Sequence, residues 1–309
     1  MKSHKLVIGS RGSQLALWQA NWVKSELERL HSNVDINIRV IATSGDNIQD
    51  VPLAKIGGKG LFVKEIEEAL LANEIDLAVH SMKDVPMELP TELGISVITK
   101  RENPLDALIS KNGEKLADLP QGATIGTSSL RRSSQLLKYR GDFKIHPLRG
   151  NVDTRLRKVE EGKYDAILLA SAGLNRLGWA NRITEEISHD ILLPAMGQGA
   201  LGIETRLDDT MIYDFISTLN HEQTHYAVSA ERSLVGRLDG GCQVPIGAYA
   251  RIEKGLITLK GLVASLDGEV IYKLENVGPV DDAINIGQEL GSKLLKMGAN
   301  EILEKLIKQ

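Results

Sequence analysis

Cysteine is all but missing from this chain of 309 residues: Cys242 stands alone, so no internal disulfide can form. A solitary thiol stays reduced in the cytosol, and a cytoplasmic protein is expected. Long apolar runs are missing as well. No stretch reaches the roughly 18 uninterrupted apolar residues of a membrane span, and the opening MKSHKLVIGSRGS has no apolar run of signal-peptide length. Phenylalanine occurs only three times, and 42% hydrophobic with 25% charged residues describes an ordinary soluble protein. There is no surplus of positive charge either. A net charge of -4 gives no sign of a nucleic-acid partner. Internal repeats and low-complexity tracts are absent.

What is present is length enough for two or three domains, each with its own core. The acidic total hides a basic stretch: residues 127–157 hold eight Lys or Arg against two Asp, a local net charge of +6. An anionic ligand is expected there. Cys242 follows Gly240 and Gly241 and precedes Pro245, so the thiol is expected on a loop, with a buried packing role as the plain alternative.

Taken in order, residues 5–8 read as a strand, followed by the turn Gly9 to Gly12 and a helix from about Ser13 with apolar Leu15, Leu17, Trp18, Trp22 and Val23. A strand over 35–41 leads to a polar loop, 43–60, whose Gly57-Gly58-Lys59-Gly60 lacks phosphate-loop spacing and reads as a lid that closes over a ligand. A helix over 61–72 and an apolar run at 75–79 end in His80-Ser-Met-Lys-Asp-Val-Pro86. The same alternation then recurs. Strands at 123–125, 144–146 and 166–169 each run into a polar turn and a helix, which predicts α/β domains with largely parallel sheets. Ligands of such folds sit beyond the carboxyl ends of the strands. Five polar strand-end turns, four with Arg and one with a Lys-Asp pair, predict a shared cleft. From residue 220 the pattern changes to a helix, the cysteine loop, three strands at 246–252, 255–265 and 269–274, and a helix over 281–308 broken near Gly298. This predicts a smaller α/β domain with a three-stranded antiparallel sheet.

His221-Glu222-Gln-Thr-His225 fits the HExxH pattern of zinc hydrolases. Asn220 reads as its N-cap, which makes the motif a solvated first turn, and the extended form would need Gly at Val228 and His at Glu231. No metal is expected. A solute-binding protein or the effector half of a transcription regulator would share a two-domain cleft. The first calls for an export signal and the second for a DNA-reading helix-turn-helix, and neither is visible.

HSMKDVP at 80–86, GTSSLRR at 126–132, LRGNVDTRL at 148–156, LASAGLNRLGW at 169–179, LPAMGQGALGIE at 193–204 and GGCQVPIGAYA at 240–250 resemble the hydroxymethylbilane synthase (porphobilinogen deaminase) family, in order and over nearly the whole chain. The resemblance implies two domains like type II periplasmic binding proteins with a cleft between them, plus the smaller C-terminal domain. It also implies a transferase that joins four porphobilinogen molecules head to tail, with loss of ammonia, onto a covalent dipyrromethane primer, and then releases the linear tetrapyrrole by hydrolysis, for haem and related pigments. The domains are expected at 1–99 with 200–217, at 100–199, and at 218–309, the last carrying the cofactor cysteine. Two positions depart from the family pattern: Gly12 replaces a commonly polar or basic residue, and Gln14 a common proline.

The roles carried over match the chemistry. A growing pyrrole chain collects carboxylates, and arginine binds these through paired hydrogen bonds. For the cofactor the resemblance implies Cys242 through a thioether, with Ser13, Lys83, Asp84, Thr127, Ser129, Arg131, Arg132, Arg149, Gly150 and Arg155 around it. For substrate it implies Arg11, Ser13, Lys55, Lys59, Phe62, Ser81, Arg149, Arg155, Arg176 and Gln198. Asp84 is the implied catalytic group, a carboxylate able to stabilise positive charge on ring nitrogens and relay protons. A monomer acting on a small molecule, away from nucleic acid and membrane, completes the expectation.

Overall fold

The computed structural model describes residues 4–47, 60, 62–239 and 244–307. In chain order the strands are β1 (His4–Ser10), β2 (Val34–Val40), β3 (Leu77–Ser81), β4 (Leu93–Ile98), β5 (Asp106–Ser110), β6 (Thr124–Gly126), β7 (Lys144–His146), β8 (Ala166–Ala170), β9 (Glu185–Ile187), β10 (Leu201–Arg206), β11 (Ile246–Glu253), β12 (Leu256–Ala264) and β13 (Ile271–Pro279). The helices that matter below are α1 (Gln14–Leu30), α2 (Lys64–Leu71), α3 (Leu130–Tyr139), α4 (Val152–Glu160), α5 (Ser171–Arg176), α6 (Thr210–Ile216), α7 (Glu222–Arg237), α8 (Ala283–Leu294) and α9 (Asn300–Ile307). They belong to two compact units, Met1–Arg101 with Ala200–His225, and Glu102–Gly199 with Tyr226–Gln309.

The first unit is built on a sheet of order β2-β1-β3-β10-β4. β2, β1 and β3 run parallel, while β10 is antiparallel to both of its neighbours. Ser13 starts α1 as its N-cap, accepting the Ala16 N–H at 3.3 Å, and Gln14 occupies the first helical position, where a proline would also fit. Ala20, Val23 and Leu27, spaced for one helical face, bury against Ile8, Leu77, Val79 and Ile203 with Ile212 and Ile216 of α6. Leu15, Leu17, Trp18 and Trp22 are only half-buried, so the buried stripe is rotated from the one the bulky residues suggest. The other core uses Ile66, Ala69 and Leu70 of α2 against Ile75 and Ala78.

The second unit holds two sheets. One has the order β7-β6-β8-β5-β9, with β5 antiparallel to β8 and β9. The other is the antiparallel meander β11-β12-β13, which α8 covers. Its first hairpin turns through Lys254 and Gly255, both at positive φ, as a tight two-residue turn requires. Leu193 packs with Leu262 and Ala264, and the Ala248 N–H donates to the Pro194 carbonyl at 3.0 Å, which joins the two sheets. The tip of the second hairpin seats on α3 through Gly268, where a Cβ would strike the Ser134 carbonyl. Gly298, at φ +113, breaks the C-terminal helical run between α8 and α9, at the position expected from the sequence.

The sheets are less parallel than the alternation suggests, because β5 and β10 enter theirs antiparallel. These strands, with β4 and β9, escape a reading of local pattern: they are short, and pairing partners distant in sequence define them. β13 extends to Pro279, past the expected end at 274, because its half-buried positions alternate with exposed ones and no apolar run marks residues 275–279 as a strand.

Candidate active site

In the first unit, β1 and β3 are parallel neighbours, with Ile8 beside Leu77 and Gly9 beside Ala78. Residues 11–13 and 81–84 therefore leave the sheet at one end. Arg11 stacks its guanidinium over Phe62, 4.2 Å from the ring centroid, a cation–π contact. Ser13 is half-buried and engaged as the α1 cap. Ser81 closes β3, and Lys83 and Asp84 follow on the 3-10 turn Met82–Asp84. Buried Met82 anchors that turn, its N–H donating to the Ala200 carbonyl at 3.0 Å, and leaves Asp84 exposed. Behind the turn, His80 Nε2 lies 2.8 Å from Glu204 Oε2, with side chains only 6% and 1% exposed.

In the second unit β6, β7 and β8 are parallel, so the turns after them share one end, and antiparallel β5 begins there, with Asp106 opposite Ala170. Asp106 is the hub. Arg131 Nη1 donates to its Oδ2 at 2.7 Å and to the Leu193 carbonyl at 2.8 Å. Arg132 Nη2 donates to Asp106 Oδ1 at 2.7 Å, and Nη1 to the Leu168 carbonyl at 2.9 Å. Gln198 Nε2 joins at 3.1 Å and also reaches the Pro104 carbonyl. All four side chains are buried. Burial opposes ionisation of Asp106, yet the adjoining Arg131 and Arg132 charges hold its carboxyl well below the usual carboxylate range. One carboxylate cannot neutralise two guanidinium groups, so the cluster carries an excess positive charge.

Asp106→Asn is expected to destabilise the protein by about 3–5 kcal/mol, because it leaves buried guanidinium groups without their counter-charge. A urea midpoint unchanged from the parent would contradict this. The folded pKa of Asp106 lies below its unfolded value of 3.8, so its contribution is complete above that value and fades as the pH falls through the folded one.

Thr127 is buried; its N–H donates to the His146 carbonyl at 2.9 Å, and its Oγ1 accepts the Ser129 N–H at 3.2 Å. Ser129 and Asn151 are the N-caps of α3 and α4, and neither side chain caps its helix. Gly150 turns at φ +105, and its carbonyl accepts Arg155 Nε at 2.7 Å. The half-buried Arg149 side chain makes no hydrogen bond or ion pair among the described residues. Arg176, on α5, donates to the Gly199 carbonyl at 2.6 Å; burial lowers its pKa to about 10, against the opposing charge of Glu102. Cys242, Lys55, Lys59 and most of the expected lid lie outside the described residues.

Each unit thus gathers its own share of the expected site residues at a strand-end rim. Asp106 was not singled out from the sequence, although a carboxylate opening the apolar run DALIS is the available signal. His221 bonds Thr224 within the first turn of α7, and the described residues contain no group of three or more His, Cys, Asp or Glu able to hold a metal. None of their helices is long and apolar enough to cross a membrane.

The family model "Porphobilinogen deaminase, dipyromethane cofactor binding domain" matches residues 6–214, and "Porphobilinogen deaminase, C-terminal domain" matches 225–296. The chain is 56% identical over 303 residues to porphobilinogen deaminase of Geobacter metallireducens, covering 98% of this chain and 95% of that protein. It is 52% identical over 306 residues to porphobilinogen deaminase of Syntrophobacter fumaroxidans, covering 99% of both. Among solved structures it is similar to the probable amino-acid ABC transporter extracellular-binding protein of Bacillus subtilis, with a TM-score of 0.42 and 13% identity, covering 71% of this chain and 90% of that one.

Proposed function

Because the chain belongs to the porphobilinogen deaminase family, we propose that it deaminates four porphobilinogen molecules and joins them head to tail into hydroxymethylbilane for tetrapyrrole synthesis. It is a transferase, and its cofactor is dipyrromethane. When bound, this group supplies a primer whose free α carbon accepts the first unit. Cys242 holds it through a thioether, which survives repeated elongation without being regenerated.

The observation that carries this reading is the excess positive charge where Arg131 and Arg132 share Asp106, among turns that also present Arg149, Arg155 and Arg176. The donor set fits a group rich in carboxylates. The Arg149 guanidinium has no described partner, and the amino ends of α3 and α4 lack side-chain caps. In this reading Thr127, Ser129 and Gly150 complete the cofactor's cradle, while Ser81, Gln198, Lys55 and Lys59 serve incoming substrate. Arg11 and Phe62 offer a cation beside an aromatic face, suited to a pyrrole carrying carboxylates.

Asp84 performs the acid-base work. As ammonia leaves, positive charge develops on ring nitrogens, and an exposed carboxylate at the end of β3 stabilises it and moves protons. Lys83 beside it answers the substrate's own carboxylates. The reaction fits a cytoplasmic monomer taking a small-molecule substrate, with its one cysteine committed to the primer.

The test uses the purified protein. Its intact mass should exceed the sequence mass by one dipyrromethane, and added porphobilinogen should disappear in step with ammonia release. Active protein of bare sequence mass would refute the covalent primer, and absence of ammonia release the reaction.

A further inference from the structure

Three buried carboxylate oxygens in the first unit have no hydrogen-bond partner: Glu65 Oε2 and Glu67 Oε1 on α2, and Glu204 Oε1 on β10. The other oxygen of Glu65 accepts the Ser44 N–H, which leaves Glu67 and Glu204 as the acids to account for. A carboxylate desolvated without a partner is strongly disfavoured. Glu204 is 1% exposed, and its other oxygen is taken by His80 at 2.8 Å. α2 packs on both β3 and β10, and Glu67 lies near enough to this pair for the charges of Glu204 and His80 to act on its carboxyl. A single proton shared between Glu67 and Glu204 resolves the orphaned oxygens of both.

We propose that Glu67 is held protonated and donates to Glu204, so that Glu67, Glu204 and His80 form a hydrogen-bonded chain that positions the Ser81–Asp84 turn. His80 immediately precedes Ser81. Glu204 stands opposite Ala78, one diagonal step from His80 across the β3–β10 ladder. Met82 fills the space above Gly202, where a Cβ would collide with its Sδ, so that part of the ladder and the turn are packed as one piece. Loss of the proton would set two carboxylate charges together beneath the strand end and push it out of place.

The electrostatics agree. Burial first, then the charge of Glu204, pushes the Glu67 carboxyl up to about 7; His80 opposes this and Glu68, on the same helix, adds to it. β1, which also packs on α2, contributes no charge to the shift. The folded value lies above the unfolded 4.5, so the folded state binds the extra proton. The contribution to stability is therefore complete below the unfolded value and is lost as the pH rises through about 7.

The positioning role rests on the assignment of Asp84, but the proton can be observed without turnover. Infrared difference spectra of the holoenzyme between about pH 6 and pH 8, with and without carbon-13 glutamate, should show a protonated glutamate band that titrates near neutrality, where ordinary glutamates are already ionised. Glu67→Gln, which keeps a donor towards Glu204, should lose that band. Its melting temperature should gain on the parent's as the pH rises, and the fall in kcat above neutrality should disappear with KM little changed. A parent without the band would overturn the proposal, as when water bridges the two oxygens. So would a Glu67→Gln variant with the parent's pH profile, or one inactive at every pH. If the variant does not fold, the labelled parent spectrum decides alone. Should Asp84→Asn keep its turnover, the Asp84 assignment fails while the band still tests the shared proton.

Discussion

Cys242→Ala is expected to give a folded protein whose intact mass equals that of its sequence and whose turnover is lost completely. No other thiol exists in the chain to accept the primer, so the substitution removes the attachment and cannot reroute it. Folding should survive because the flanks are secured independently. The Leu238 N–H donates to the Leu234 carbonyl at 3.2 Å at the end of α7, and on β11 the Ala250 N–H donates to Glu231 Oε1 at 2.7 Å. Intact-mass measurement, thermal melting and the porphobilinogen assay read the three parts separately. A mass adduct that persists in the alanine variant would refute the thioether. Turnover at the parent's rate would refute any need for a tethered primer.

Asp84→Asn should leave fold and cofactor in place and lower kcat by about 10²–10⁴, the range that general acid-base groups contribute. Asp84 is exposed, and its carboxylate makes no hydrogen bond or ion pair among the described residues. Stability should therefore stay within about 0.5 kcal/mol of the parent. Asparagine preserves shape and hydrogen bonding but can neither balance a cationic ring nor accept its proton. With the primer confirmed by mass, a kcat near the parent's would remove Asp84 from the chemistry.

Much of this arrangement is legible in the sequence because its signals are local. A short apolar run followed by a polar turn marks the ends of β3, β6, β7 and β8, and with them Ser81, Thr127, Arg149 and Arg176. The helix start near Ser13 and the helix break at Gly298 are local in the same sense. What stays hidden is pairing over distance. Asp106 meets Arg131 across 25 positions, and His80 meets Glu204 across 124, so neither partnership leaves a trace in any window of the sequence. An arginine at a strand end also announces its charge without its occupation. Arg131 and Arg132 are 5% and 6% exposed and already committed to Asp106, whereas Arg149 is not so engaged.

The place of β10 between β3 and β4 governs the order in which a nascent chain can mature. A sheet that takes an interior strand from residues 201–206 cannot close when the first hundred residues leave the ribosome; β3 and β4 must wait with unpaired edges. The strands of the β7-β6-β8-β5-β9 sheet all lie between Asp106 and Ile187, so that later-made sheet has every strand it needs first. Of these two sheets the one begun first is finished last, and for that interval its unpaired strand edges are open to pairing with other chains.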